Sequence, residues 1–526
     1  MSSNRRSRSL EERPHDRRNP TRRGLLIGGA AAIGLGYGLT RVLFSDEERP
    51  EPVVDVRALG AAGDGRANDT RAFQRASARI RRAGGGTLLV PAGTYLVGDQ
   101  AFAGRAGRGY AYRAASVIRI SGCPRRVLIE GRGATLTTAP GLRFGAFDPV
   151  TGRPYEAPGL PFVNADYRAD VYEGALFLAD NADVVVRGLL VDGNLTSLIF
   201  GGEYGDSGYQ VAHDGLVAFD NHRLVIEDCR FVEHGRDGLV IGRRRPSKGW
   251  TGPSVRLVSV DADRNGRQGM SWVGGSGLMA IDCSFSHTGR SLAASNPGAG
   301  VDIEPEDSTC RDGRFVRCRF IGNRNFGVLA EAGDAADVTF QDCTISAAAP
   351  SSTSTTPRAI WPNKPLFRFV GCRIHGSVVR TYGSTNPDAA CRFDDCEFSD
   401  APLESGELPE AGLALIEVSG ANVSFTRCSV RTTRMRSLAL TGGSTPGEDA
   451  LLNECQIDHR FDGLPAGSYQ ASLDHVRVDR TVFTEFGLRR PSYIAATNVE
   501  LVSQVYVSGP KVAWETLAGK TGVIAR

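Results

Sequence analysis

The chain has 526 residues, with 62 Lys and Arg against 59 Asp and Glu, for a net charge of +3. A balance this close, with no basic patch in the body of the chain, excludes a nucleic-acid binder. Only 8 His occur and no Cys-x-x-Cys pair, which excludes a zinc module despite 11 Cys.

The first 23 residues hold eight Arg and three acids. The segment Thr21-Arg22-Arg23-Gly24-Leu25-Leu26 resembles the twin-arginine export signal, and an uncharged run follows from Gly24 to Thr40. Residues 1–44 are expected to act as that signal. With no Ala-x-Ala site after them, they can also stay as a membrane tether. The resemblance implies export of an already folded chain, through the twin-arginine machinery, to the periplasm or beyond. Residues 45–52, rich in acids and Pro, read as a linker.

A block from Val54 to Gly65 then leads through Asn68-Asp69-Thr70 to a helical stretch ending at Arg82. Asp69 and Thr70 are placed to cap that helix, and Ala72, Phe73, Ala76 and Ile80 share one face. Gly84-Gly85-Gly86 turns the chain into a strand, and no Lys-Ser/Thr pair follows to make a phosphate loop.

From there one phrase repeats: an apolar residue, two residues, a slot, one residue, an apolar residue. The slot holds Leu189, Cys229, Val260, Cys283, Cys318, Cys343, Cys372, Cys396, Cys428, Cys455 and Thr481, at intervals of 23 to 40 residues. Such repetition means one structural unit stacked on itself. Alternation before and after the slot marks two short strands. The odd step between them requires a corner. Eight Cys in one inward slot read as a column of small apolar side chains. Their parallel stacking suits disulfide geometry poorly.

Residues 53–486 are therefore expected to form an all-β, right-handed parallel β-helix solenoid with an amino-terminal capping helix, and 487–526 a cap or tail. The block from Val54 to Tyr95 resembles the amino-terminal cap of the pectate-lyase-like superfamily, which includes polygalacturonases, rhamnogalacturonases and alginate epimerases. That resemblance implies an exported carbohydrate-active protein. The Asn-Thr-Asp, Gly-His-Gly and Arg-Ile-Lys motifs of polygalacturonases and the Asp-Pro-His-Glu motif of alginate epimerases are absent in that arrangement. No catalytic residue carries over.

A second strand series follows the Cys strands, opening on Gly215, Gly238, Gly269, Gly300 and Gly327. Positions one and three after each Gly are apolar and expected inside. Asp302 and Glu304 are then expected on the outer face about 6–7 Å apart, with Glu331 one rung, about 4.8 Å, from Glu304. Asp237 and Arg267 join them as candidate catalytic residues, because sugar cleavage needs a proton donor and a second carboxylate. His213, Asp214, Arg236, Tyr204 and Tyr209 are candidate substrate-binding residues. The insert at 195–209 and the loop at 287–298 are candidate walls, and Asp220, His222 and His287 are weaker candidates. The reaction is expected to be hydrolysis, or β-elimination with Ca²⁺ held by Asp302 and Glu304. The substrate would be a polysaccharide of acidic character. The other reading is a non-catalytic glycan-binding or surface structural β-helix, with the outward carboxylates salt-bridged to Arg. Trp272 reads as core, and His234 as part of a polar turn ladder with Asn265 and Asn323.

Overall fold

The structure is a computed structural model. It describes residues 51–526 apart from 105–110, 155–173, 203–209, 244–253, 307, 348–357, 404–413, 461–462, 466, 487–492, 509–516, 518–522 and 526. The export segment, most of the linker, Tyr204 and Tyr209 lie outside the described residues.

Each central rung holds three short strands. One rung comprises Arg223–Glu227, Arg230–Val232 and Asp237–Gly242; the next comprises Val255–Val258, Asp261–Asp263 and Gln268–Trp272. Each strand pairs in parallel with its counterpart one rung away. Ile226 stands opposite Leu257, Phe231 opposite Ala262, and Leu239 opposite Met270. Parallel neighbours require the chain to make a full circuit between them. The architecture is thus the expected parallel β-helix.

The corner inferred from the parity break is a single left-handed residue. Asp228, Asp282, Arg317, Asp342, Asp395, Arg427 and Glu454, each just before a slot Cys, have φ between 52° and 56°. One such residue bends the backbone between two strands and shifts the alternation by one position.

The slot points into the core. All eleven Cys are buried and unpaired. The thiol of Cys343 lies 3.4 Å from the Phe315 carbonyl one rung away, so it donates a weak bond and packs as a small apolar group. Beside the thiols runs an aromatic column, Phe315, Phe340, Phe369, Phe393 and Phe425. Successive ring centroids are 4.8, 5.0, 4.9 and 4.8 Å apart and the rings are stacked. The rung repeat of about 4.8 Å falls within the favourable range for stacked rings, so backbone pairing and ring stacking reinforce each other.

The helix Thr70–Ala83 closes the first rung, burying Ala72, Phe73, Ala76 and Ile80. Phe73 meets Tyr95 edge-on at 5.4 Å. The start of the helix differs from expectation. The Asp69 carboxylate makes no cap bond. It accepts instead from the backbone N–H groups of Ala62, at 2.7 Å, and Gly63, at 3.1 Å. The Thr70 N–H donates to Asn68 Oδ1 at 3.1 Å. Asp69 thus ties the preceding loop to the helix.

The solenoid also runs on past residue 486. Tyr493–Leu501 pairs with Tyr469–Asp479, and Val505–Val507 pairs with Val482–Thr484. These rungs lack the Cys phrase, which is why the repeat did not show them. Among the described residues no helix is long and apolar enough to cross a membrane.

Candidate functional site

The third strands of successive rungs form one face. Two outward rows run along it. The row just before each Gly carries Asp237, Gln268, Ala299, Phe326 and Arg358 in register. The row two residues after each Gly carries Val217, Val240, Ser271, Asp302, Leu329 and Trp361. Leu239, Met270 and Val301 between the rows, and Trp272 beyond the second row, point inward and are buried, Trp272 as expected.

The polar members of these rows are held diagonally, each by a side chain from a neighbouring rung. Arg236 clasps Asp214, with Nε donating to Oδ1 at 2.8 Å and Nη2 to Oδ2. The Asp237 N–H also donates to Asp214 Oδ1, at 3.1 Å. Ser271 Oγ donates to Asp237 Oδ2 at 2.8 Å, and Arg267 Nη1 lies 3.4 Å from the same oxygen. Gln268 Nε2 donates to Asp302 Oδ2 at 2.7 Å. Arg267 also reaches forward, its Nη2 lying 3.7 Å from Glu304 Oε2.

Over this lattice lies a cleft of about 650 Å³, lined by Asp214, Asp237, Arg236, Arg267 and Ser271 together with the half-exposed rings of Phe177 and Phe219. Asp237 is the distinctive group. Its side chain is 2% exposed, and its Oδ1 is buried with no hydrogen-bond partner. Burial pushes its carboxyl up to about 6 against the pull of Arg267. Asp214, in contrast, has a guanidinium of its own. A carboxyl that carries its proton close to neutrality, beside cations, can give or take a proton in a reaction.

Several expected placements change. Asp302 lies in an outward row but is only 3% exposed, and it does not line the cleft. Burial and the neighbouring Glu304 push its carboxyl up. Glu304 is half-exposed and faces Arg267. Glu331 is exposed, follows the strand Phe326–Ala330 and lines no part of the cleft. His213 is wholly buried on the inner side and touches no ligand surface. It accepts from the Gly235 N–H at 3.2 Å, its ring packs against Phe144 and His234, and burial holds it well below its usual pKa. Its ring is apolar enough to serve the core.

Of the two candidate walls, the 195–209 insert is only partly described, and Gln210, the residue after it, lines the cleft. The loop 287–298 instead packs on the rungs to either side: His287 bonds Asp263 at 2.6 Å and Asn296 accepts from Asn325 at 3.0 Å. The turn ladder is present. His234 N–H donates to Asn265 Oδ1, and Asn265 Nδ2 to the Phe231 carbonyl. Sequence reasoning missed Phe177, Asp180 and Ser271 in the cleft and ranked Asp220 low. A signal existed for one pair: Asp180-Asn181 and Asp220-Asn221 each directly follow a strand of the series, one rung apart.

A calcium site at Asp302 and Glu304 does not fit. Among the described residues no three of His, Cys, Asp and Glu gather to hold a metal. Arg267 sits against one of the two carboxylates and Gln268 against the other.

Residues 206–356 match the family described as a right handed beta helix region. The chain is a right-handed parallel β-helix. Among solved structures it is similar to the A-module of a mannuronan C-5 epimerase from Azotobacter vinelandii, at 15% identity over 87% of this chain and 100% of that one, with a TM-score of 0.40. It is also similar to the amino-terminal fragment of bacteriophage Phi29 gene product 12, at 15% identity over 86% and 66%, with a TM-score of 0.48. A third is the tailspike of Acinetobacter baumannii bacteriophage Fri1, a capsular polysaccharide depolymerase, at 12% identity over 85% and 62%, with a TM-score of 0.34. No curated protein matches the sequence. Likenesses this distant carry no residue roles to this chain.

Proposed function

We propose that the chain is an exported carbohydrate-active enzyme that cleaves an acidic polysaccharide in the cleft over Asp237. One observation carries the proposal. Asp237 is buried at the cleft with one oxygen fixed by Ser271 and Arg267 and the other without a partner. Burial makes the carboxyl keep its proton to higher pH than usual. Arg267 and Arg236 supply positive charge suited to a uronate carboxylate. Phe177 and Phe219 give the apolar surface on which a sugar ring can rest. In hydrolysis Asp237 donates its proton to the glycosidic oxygen as the C1–O bond breaks, water adds to C1, and the proton that water sheds passes through solvent to restore the acid. In β-elimination the ionised Asp237 takes the C5 proton, the C4–C5 double bond forms as the C4–O bond breaks, and the proton passes to the leaving oxygen.

Export belongs to the same proposal. Arg22-Arg23 and eleven buried, unpaired thiols suit a chain that folds before it crosses the membrane, with or without a retained tether.

The test is a panel of acidic and neutral polysaccharides, read for new reducing ends and for the ultraviolet absorbance of an unsaturated product. Cleavage of an acidic polymer is expected. Asp237→Asn is expected to lower it about 10²- to 10⁴-fold without lowering the melting temperature. Undiminished turnover in that variant would falsify the assignment. The pairing of Asp214 and Glu304 with Arg favours the second reading, a non-catalytic glycan binder; retention of polymer with no cleavage by wild type is its signature.

A further inference from the structure

A second cleft, of about 620 Å³, lies on the same face of the solenoid. The two outward rows that build the first cleft also build this one. Arg358 occupies the row of Asp237 and Gln268, and Trp361 the row of Val240 and Ser271. Ser271 and Trp361 are three rungs apart through Asp302 and Leu329, or about 14 Å. That distance spans a few sugar residues of one polymer lying along the face.

The second cleft carries four buried polar atoms that have no hydrogen-bond partner: Arg358 Nη1, Trp361 Nε1, Thr381 Oγ1 and Glu417 Oε2. Unpartnered buried polar atoms are rare, so four around one cavity are unlike ordinary packing. Three can donate and one accepts. Arg380 completes the site, its guanidinium 4.7 Å over the Trp361 ring and its backbone left-handed at φ 48°. Neither Arg358 nor Arg380 is ion-paired among the described residues. The acidic row of the first cleft has thus turned basic at the second.

We propose that this cleft is a distal subsite that binds an acidic sugar residue of the polymer cleaved over Asp237, and in this it rests on the proposed function. Arg358 and Arg380 face the uronate carboxylate. Trp361 Nε1 and Thr381 Oγ1 donate to sugar oxygens, and Glu417 accepts from a hydroxyl. The subsite adds affinity for long chains and takes no part in bond breaking.

The test separates binding from turnover. Wild type, Arg358→Gln, Trp361→Phe and Asp237→Asn are run in native gels cast with polygalacturonate, alginate or hyaluronate, or with a neutral glucan. Cleavage of long polymer and short oligomer is measured in parallel. Retardation by an acidic polymer is expected, weakened about tenfold in Arg358→Gln and in Trp361→Phe, with melting temperatures held. KM for long polymer rises in both, while turnover of short oligomers is unchanged. Equal retardation in all four proteins overturns the subsite, and so does retardation by the neutral glucan alone or by no polymer. If Asp237→Asn still cleaves while Arg358→Gln loses retardation, the subsite stands and the assignment of Asp237 falls.

Discussion

Arg267 Nη1 lies 3.4 Å from Asp237 Oδ2, and the same guanidinium reaches Glu304 on the following rung. The Asp237 carboxyl is therefore set by two opposing effects, burial that raises it and Arg267 that lowers it. Removing the cation leaves burial unopposed. In Arg267→Gln the limb of the pH–rate profile that Asp237 carries is expected to move to higher pH. A profile of kcat/KM that keeps its limbs in place removes Asp237 from the reaction.

His234 is fully buried, and burial lowers it from its usual value to about 4. Its unfolded pKa is about 6.5, so between these values the unfolded chain binds the extra proton. This share of stability is present above about pH 6.5 and is lost as pH falls toward 4, up to about 3 kcal/mol. Asp237 acts the opposite way, since its raised carboxyl favours the folded state at low pH and loses that advantage as pH rises toward 6. His234→Asn is the variant to make, because Asn265 fills the equivalent place one rung on. Urea melts of this variant are expected to show a flatter decline between pH 6.5 and 4 than those of wild type.

Asp214 is fully buried and clasped by Arg236. Removing only the cation leaves a buried charge without its partner, at a cost of about 3–5 kcal/mol. Arg236→Ala is expected to fall by that amount in urea unfolding, and Arg236→Leu with Asp214→Leu to recover most of it. Equal stabilities for the single and double variants would show the pair to be energetically idle.

Burial pushes the Cys229 thiol up to about 12, and all eleven thiols are buried. Thiol reagents are expected to label none of the eleven in the native protein and all of them after unfolding, and reductant is expected to leave the melting temperature unchanged. Phe340 stacks on rings from both neighbouring rungs. Phe340→Ala is expected to cost about 3–5 kcal/mol by leaving a gap in that column.

The rungs were legible because the slot is a strict physical position. Cys343 must be small and apolar, and Asp342 must accept a left-handed backbone. The inward place of Trp272 and the ladder of His234 and Asn265 followed from the same register. The site was less legible, because register says which way a side chain points and not what covers it. Asp302 points outward yet is bonded by Gln268 and nearly inaccessible. Asp237 was a candidate from its place before Gly238, but the contacts with Ser271 and Arg267 that set it apart cross from one rung to the next over 30 or more residues of sequence. Outward alternation cannot show that four polar atoms around Trp361 lack partners.

The stack of Phe rings touches only its immediate neighbours above and below. A whole rung can therefore be duplicated or deleted by gene rearrangement with one new pair of interfaces to satisfy. In a lineage of such chains, the separation between the clefts at Asp237 and Trp361 would change in whole steps of one rung, which gives evolution a simple means of matching the protein to the repeat length of its polymer.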